Sequence, residues 1–183
     1  MANTTIYEGI EKIPTTFSFD DGLNVTGDSA VSGSSAFLQP VVSITDATYS
    51  PTSAQSGTMF SLNRAGGITV TLPTAAAGLT YEFHVGTTFT GTCIIQGASS
   101  DDTMQGAILS LDKDELGSVV ALNENIDTAG WNIPAAADYR LTLDADTDGR
   151  FIGGYVKCVA ITAAVWLMSG TLFGDGTVSH SFS

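Results

Sequence analysis

The chain has 183 residues, of which 43% are hydrophobic and 14% are charged, well below the ~25% charged residues of ordinary soluble domains. Six Lys and Arg residues against 19 Asp and Glu give a formal net charge of −13, so the chain repels nucleic-acid phosphates and anionic membranes. Length and charge therefore predict one soluble domain, with or without a tail, and argue against nucleic-acid and membrane partners.

Residues 1–50 are predicted to form an extended N-terminal arm and linker. Their apolar residues are scattered between Gly, Ser and polar residues without a sustained helical period, yet aromatic residues are too frequent for a solvated tail. We therefore predict that the arm docks on a partner through six apolar anchors: Ile6, Tyr7, Ile10, Ile13, Phe17 and Phe19. The alternative is an irregular region packed on its own domain.

The same N-terminal residues lack the basic and apolar regions of a signal peptide. No apolar run in the chain approaches the ~18–20 residues of a membrane span. We therefore expect the protein to be synthesised in a cytoplasm.

From Val41 onward the pattern predicts β-strands. In residues 68–73, ITVTLP, apolar Ile, Val and Leu alternate with Thr until Pro73, which cannot donate to a strand ladder. Residues 80–85, TYEFHV, place Tyr, Phe and Val inward and Glu82 and His84 outward, and residues 139–143 alternate in the same way. Short strands joined by Gly-rich turns predict an all-β fold, an antiparallel β-sandwich or barrel of the jelly-roll kind, over residues 51–183.

Two further segments, GGYVKCVAIT and AAVWLMSG, are almost continuously apolar over residues 153–170. Strands of this kind are buried on both faces, or on one face by a neighbouring subunit. No segment predicts a helix, and no fixed-period repeat indicates a solenoid.

The sequence DADTDG resembles the opening of a Ca²⁺-binding loop, because alternate carboxylates can converge on one hard cation. The twelfth position, which requires Glu in an EF-hand, is occupied by Tyr155. We therefore expect Asp144, Asp146 and Asp148 to form a hairpin turn, with a weak Ca²⁺ site as the alternative. We expect no metal and no cofactor.

Other chemically versatile residues do not form a catalytic pattern. His84 alternates outward on a strand and His180 lies near the C-terminus, with no nucleophile elbow nearby. The adjacent acids Asp101 and Asp102 are typical of a turn. These patterns predict a protein that is not an enzyme.

The remaining candidates have structural explanations. Cys93 and Cys158 lie in apolar strands and are expected to be free buried thiols, with a disulfide as the alternative. Trp166 lies in an apolar strand and is expected in the core rather than in a carbohydrate platform. Trp131 lies in a loop-like segment and is compatible with either role.

Three stretches resemble small β-domains of tailed-phage virion proteins, which include capsid decoration or cement proteins, head fibres and tail-associated modules. They are MFSLNRAGGITVTLPTAAAGLTYEFHV, GTCIIQGASSDDTMQG and AVWLMSGTLFGDGTVSHSFS. The resemblance covers roughly residues 58–182 and consists of a T-V-T-L-P strand, an Ala/Gly turn, a Y-E-F strand and a late Trp strand. It carries no catalytic residues.

The resemblance implies a non-enzymatic capsid decoration or cement protein on the virion surface, made in the host cytoplasm. Its expected partners are the major capsid protein and other copies of itself, with a trimer favoured. The alternative is a receptor- or carbohydrate-binding module of a head or tail fibre. The N-terminal arm favours the capsid-binding function.

Overall fold

A computed structural model describes residues 39–112, 129–143, 149–174 and 182–183, with the side chains of residues 112 and 129–132 left aside. Several sequence predictions lie outside these ranges and stay predictions. They are the six arm anchors, the turn at Asp144, Asp146 and Asp148, and the position of His180.

The described residues form eleven strands in two sheets, and their only helical element is a 3-10 turn at Ser53–Gln55. The all-β prediction is therefore confirmed. The large sheet contains, in spatial order, β1 (Val41–Ile44), β3 (Thr58–Leu62), β5 (Thr80–Val85), β10 (Tyr155–Ala160), β11 (Val165–Gly174), β7 (Thr103–Asp112) and β8 (Ala129–Asn132). The small sheet contains β2 (Thr48–Tyr49), β4 (Thr69–Thr71), β6 (Cys93–Gln96) and β9 (Arg140–Leu143).

The expectation of antiparallel sheets is wrong, because five of the nine strand pairs among the described residues are parallel. From β1 to β6 the chain alternates between the sheets, so that β1, β3 and β5 run parallel in one and β2, β4 and β6 run parallel in the other. Each return to a sheet places the new strand beside the previous one in the same direction. From β1 to β6 the chain therefore winds back and forth between the two sheets, and each round adds one parallel strand to each sheet.

The sequence of this winding part shows no fixed-period repeat, because successive rounds of the chain differ in length. The strands of the large sheet begin at residues 41, 58 and 80, and those of the small sheet at residues 48, 69 and 93. The first two strands also fall within the range assigned to the arm and linker, and both pair with later strands.

The second half of the chain completes both sheets. β10 and β11 form an antiparallel hairpin. β5 pairs with the free side of β10, and β7 pairs with the free side of β11. In the small sheet, β9 pairs antiparallel with β6 and also forms a bridge to the C-terminal Phe182.

The core consists of the inward side chains of both sheets, which belong to one hydrophobic cluster. The predicted alternation is confirmed in β5, where Tyr81 and Phe83 are buried and Glu82 is only partly so. Phe83 stacks on Phe60 of β3 with 5.2 Å between ring centroids. The prediction that Trp166 is a core residue is also confirmed, since it is completely buried.

Cys93 and Cys158 are free and buried, as predicted. Burial raises the pKa of the Cys93 thiol to about 12 and raises that of Cys158 further, because the apolar surroundings disfavour the thiolate. Both side chains therefore act as small hydrophobic groups.

Residue 106 in β7 must be glycine, because the neighbouring strand β11 approaches it closely. Its φ is +108°, and a Cβ at this position would collide with the carbonyl oxygen of Met168 in β11. Glycine therefore permits the parallel pairing of these two long strands at this point. No helix suited to crossing a bilayer occurs in the described ranges.

Candidate functional site: the outer face of the large sheet

The outer face of the large sheet is the broadest regular surface of the described residues. We define it as the odd-numbered residues of β1, β3, β7, β10 and β11, up to residue 111 in β7, together with the even-numbered residues of β5. None of these side chains is buried. They form rows across the sheet, because residues in register on neighbouring strands lie side by side.

The middle of this face carries the only two charged side chains on it, Glu82 and Lys157, which are directly opposite each other on β5 and β10. In the next row, His84 is opposite Tyr155. The sequence placed Glu82 and His84 outward, but it did not indicate their neighbours. Those depend on the register between strands about 70 residues apart, which alternation within one strand does not specify.

These four residues form a partly connected group. The Nε2 atom of His84 lies 2.6 Å from Oε1 of Glu82, with the two side chains 33% and 25% exposed. The rings of His84 and Tyr155 are stacked, with centroids 5.7 Å apart and an interplanar angle of 22°. Lys157 is exposed and takes part in no ion pair within the described residues.

On the β1 side of His84, short polar side chains bond to one another. The amide of Asn63 donates to the hydroxyl of Ser43 at 2.7 Å, and the hydroxyl of Ser61 donates to Oδ1 of Asn63 at 3.2 Å. Ser61 is in register with His84, but its proton is directed to Asn63. The arrangement provides a low, hydrogen-bonded surface rather than a hydroxyl activated by the imidazole.

Exposed apolar side chains complete the face. Val41 is 64% exposed, Leu167 is 41% exposed and Tyr155 is 38% exposed. Among the described residues, therefore, the apolar β10–β11 hairpin is mostly buried on its even-numbered side and partly or largely exposed on the other. Of the two arrangements expected for these strands, burial of both faces is not observed within the part of the chain that the structure describes.

The outer face of the small sheet has a different composition. Thr48, Thr69 and Thr142 lie in one row, interrupted by Ile94. In the adjacent row, the amide of Gln96 donates to the hydroxyl of Thr71 at 3.2 Å. Arg140 is next in register in that row, so this surface is short and polar with one charged residue.

The acidic turn before β7 is structural. Asp102 is almost completely buried, and its Oδ1 accepts a hydrogen bond from the backbone N–H of Ala75 at 3.1 Å. Ser99 closes the same turn by accepting the backbone N–H of Asp101. Among the described residues, no three His, Cys, Asp or Glu side chains are grouped so that they could hold a metal ion.

Comparison with protein-family models, curated proteins and solved structures gives no match to this chain. The site must therefore be interpreted from its own geometry. That geometry is a broad, nearly neutral β-surface with one pair of opposite charges, one stacked aromatic pair and several exposed apolar groups. Surfaces of this composition are suited to contact with other proteins.

Proposed function

We propose that the protein is a non-enzymatic virion structural protein, a capsid decoration or cement protein that binds and stabilises the head of a tailed phage. The observation that supports the proposal most directly is the outer face of the large sheet. It offers a wide surface with little charge to desolvate, and this suits packing against other protein in a repetitive lattice.

The distribution of charge is consistent with this role. The described residues contain six of the 19 acidic residues and four of the six basic residues of the chain, which gives them a formal charge of −2. The other segments therefore carry −11 of the total of −13. A nearly neutral β-framework can approach a protein surface closely, while the acidic segments keep unassembled copies soluble.

In this proposal the N-terminal arm binds the major capsid protein through Ile6, Tyr7, Ile10, Ile13, Phe17 and Phe19, and the β-framework contacts other copies of the protein. Each buried anchor contributes on the order of 1.5–3 kcal/mol, offset by about 1–2 kcal/mol for each ordered backbone residue. Because this balance is close, firm attachment requires several arms bound at once through an oligomer. The site of action is the capsid surface.

The arm is tested with phage capsids stripped of their decoration protein. Full-length protein should rebind these capsids, and a variant lacking residues 1–30 should show greatly reduced occupancy in sedimentation and electron microscopy. Circular dichroism of the truncated protein controls for folding. If the truncated protein reached the same occupancy as the full-length protein, the arm would not be the attachment segment. If neither protein bound, the capsid would not be the partner.

A receptor- or carbohydrate-binding module of a fibre is the second candidate, and one observation favours it. Tyr155 is exposed, lies flat against His84 and has Glu82 and Lys157 beside it, which is a small aromatic platform bordered by polar groups. A glycan array separates the two functions. Saturable binding of one glycan class that is lost in Tyr155→Ala, but retained without residues 1–30, would favour the fibre module.

A further inference from the structure

We propose that the outer face of the large sheet pairs with the same face of a second copy. The two-fold axis lies in the interface and runs along the strands, midway between β5 and β10. This inference specifies the self-association that is part of the proposed function. It favours a dimer over the expected trimer, and it can fail while capsid binding stands, because its test uses the protein alone.

The position of the charges is the first reason. Glu82 and Lys157 are opposite in sign and lie in register on the two strands beside this axis. Rotation about the axis places Glu82 of each copy over Lys157 of the other, so that one interface contains two equivalent ion pairs. Apposition of these faces without such a rotation would leave like charges facing each other or both charges unpaired.

The order of strands is the second reason. The axis has β5, β3 and β1 on one side and β10, β11, β7 and the edge strand β8 on the other, so the three strands nearest to it on each side correspond. Rotation places β1 over β7 and β3 over β11. The strand axes of the two copies are then nearly aligned, as in aligned packing of twisted sheets, with β5 and β10 running in opposite directions and the outer pairs in the same direction.

The side chains that meet under this operation differ in size. In the row of Glu82, the register is Val41, Met59, Glu82, Lys157, Ser169 and Ala107. The rotation therefore brings exposed Val41 over small Ala107 and Met59 over small Ser169. Large groups opposite small ones allow the two faces to interdigitate as they do in the core of a sandwich.

The extent of the face agrees with a weak but specific dimer. Six strands at ~4.8 Å spacing and about six residues in length cover roughly 500–600 Å². Two such faces bury about 1,000–1,200 Å² in total, which is near the lower limit for a specific interface. The face carries one acidic and one basic side chain, so two copies can approach through it without a net charge repulsion between the faces.

The test uses two charge reversals in the full-length protein, Glu82→Lys and Lys157→Glu. Each variant carries two like charges at the axis and should self-associate at least about tenfold more weakly than the wild type in sedimentation velocity. An equimolar mixture of the two variants should recover heterodimers with near wild-type affinity. Mixing restores pairing between copies but leaves the repulsion within each copy unchanged, so recovery can come only from an intermolecular contact.

Thr48→Lys adds a charge to the exposed surface of the small sheet and serves as the matched control. It should leave self-association unchanged. Leu167→Ala, which removes an exposed apolar group without touching the charges, should weaken it by a smaller factor. A monomeric wild type at high concentration, or a mixture that remains monomeric while each variant is folded by circular dichroism, would overturn the proposal.

Discussion

The two sheets share one core but present different surfaces. On the small sheet, the outward positions are mostly Thr and Gln, with Ile94 and Arg140 among them, and the amide of Gln96 donates to the hydroxyl of Thr71. On the large sheet, the outward positions include Val41, Leu167 and Tyr155, all substantially exposed. Both sheets alternate equally well toward the core, so burial within the chain does not account for this difference.

This difference indicates that the inward and the outward side chains of these strands meet separate physical requirements. Inward residues must fill the space between the sheets, and outward residues must suit whatever lies outside. Threonine suits water on a β-surface, whereas a mixture of small, apolar and paired charged residues suits another protein surface. Substitutions on the two sides of one strand separate these requirements.

The first prediction compares neighbouring residues on opposite sides of β11. Trp166→Ala empties a completely buried site between the sheets and should lower the free energy of unfolding by about 3–5 kcal/mol. Leu167→Ala removes an exposed side chain of the next residue and should change it by less than about 1 kcal/mol. Urea unfolding followed by circular dichroism measures both, at a concentration where the protein is monomeric.

Equal effects of the two substitutions would contradict the assignment of inner and outer faces. A large loss for Leu167→Ala that appears only at high protein concentration would instead support burial of the outer face between copies.

The inner and outer faces were predictable from the sequence, because alternation is a local property of each strand. The alternation of residues 68–72 and 80–85 and the burial of Trp166 follow from it directly. Strand direction was not predictable in the same way. The crossings between the sheets, which make β1, β3 and β5 parallel, depend on the paths of Gly-rich connections with unequal lengths.

The candidate site illustrates the same limit. His84 was expected to point outward, but the juxtaposition of His84 with Tyr155 and of Glu82 with Lys157 comes from register between distant strands. The continuous apolar character of residues 153–170 left two arrangements open, with both faces buried or with one face buried by a neighbouring subunit. It could not show which side of the hairpin would remain open.

The second prediction concerns the buried thiols on the inner faces. The folded state raises the pKa of Cys93 from an ordinary 9.0 to about 12 and raises that of Cys158 as well, so the unfolded state ionises first. Their contribution to stability is complete below pH 9 and is lost as the pH rises from 9 toward 12. The loss should approach about 1.4 kcal/mol per pH unit for each thiol.

Thermal unfolding between pH 8 and 10.5 measures this slope. A variant with Cys93→Ala and Cys158→Ala should have a lower melting temperature at pH 8 but a shallower decline with pH. Tyr81, whose pKa is also raised by burial, remains in both proteins and accounts for part of the residual slope. Rapid reaction of either thiol with a disulfide reagent in the native state would show that the burial has been misjudged.

The third prediction concerns the edge of the small sheet. The C-terminal Ser183 exchanges backbone hydrogen bonds with Arg140, and Phe182 packs against the core. Phe182→Ala should lower the free energy of unfolding by about 1–3 kcal/mol, because it removes apolar contact from a partly buried site. Ser183→Ala retains the backbone bonds and should have no measurable effect in the same denaturant titration. If Phe182→Ala were equally silent, the C-terminal residues would not contribute to the edge of this sheet.

The smallest effect is expected from Glu82→Gln on the stability of the monomer. The contact between Glu82 and His84 is short, but both side chains are partly exposed, so solvent screens their interaction. Loss of this contact should change the free energy of unfolding by less than about 1 kcal/mol.

The same substitution, Glu82→Gln, removes one charge from each of the two proposed ion pairs at the dimer axis, so it should weaken self-association several-fold. Thr71→Val on the small sheet also removes a partly exposed polar contact, and it should leave self-association unchanged. Urea titration and sedimentation of the same samples give both quantities. A residue kept for folding would alter the first and not the second, whereas a residue kept for contact between copies would do the reverse. A loss of monomer stability well above 1 kcal/mol in Glu82→Gln, without any change in association, would assign the charged pair to the fold and remove the distinction drawn between the two outer faces.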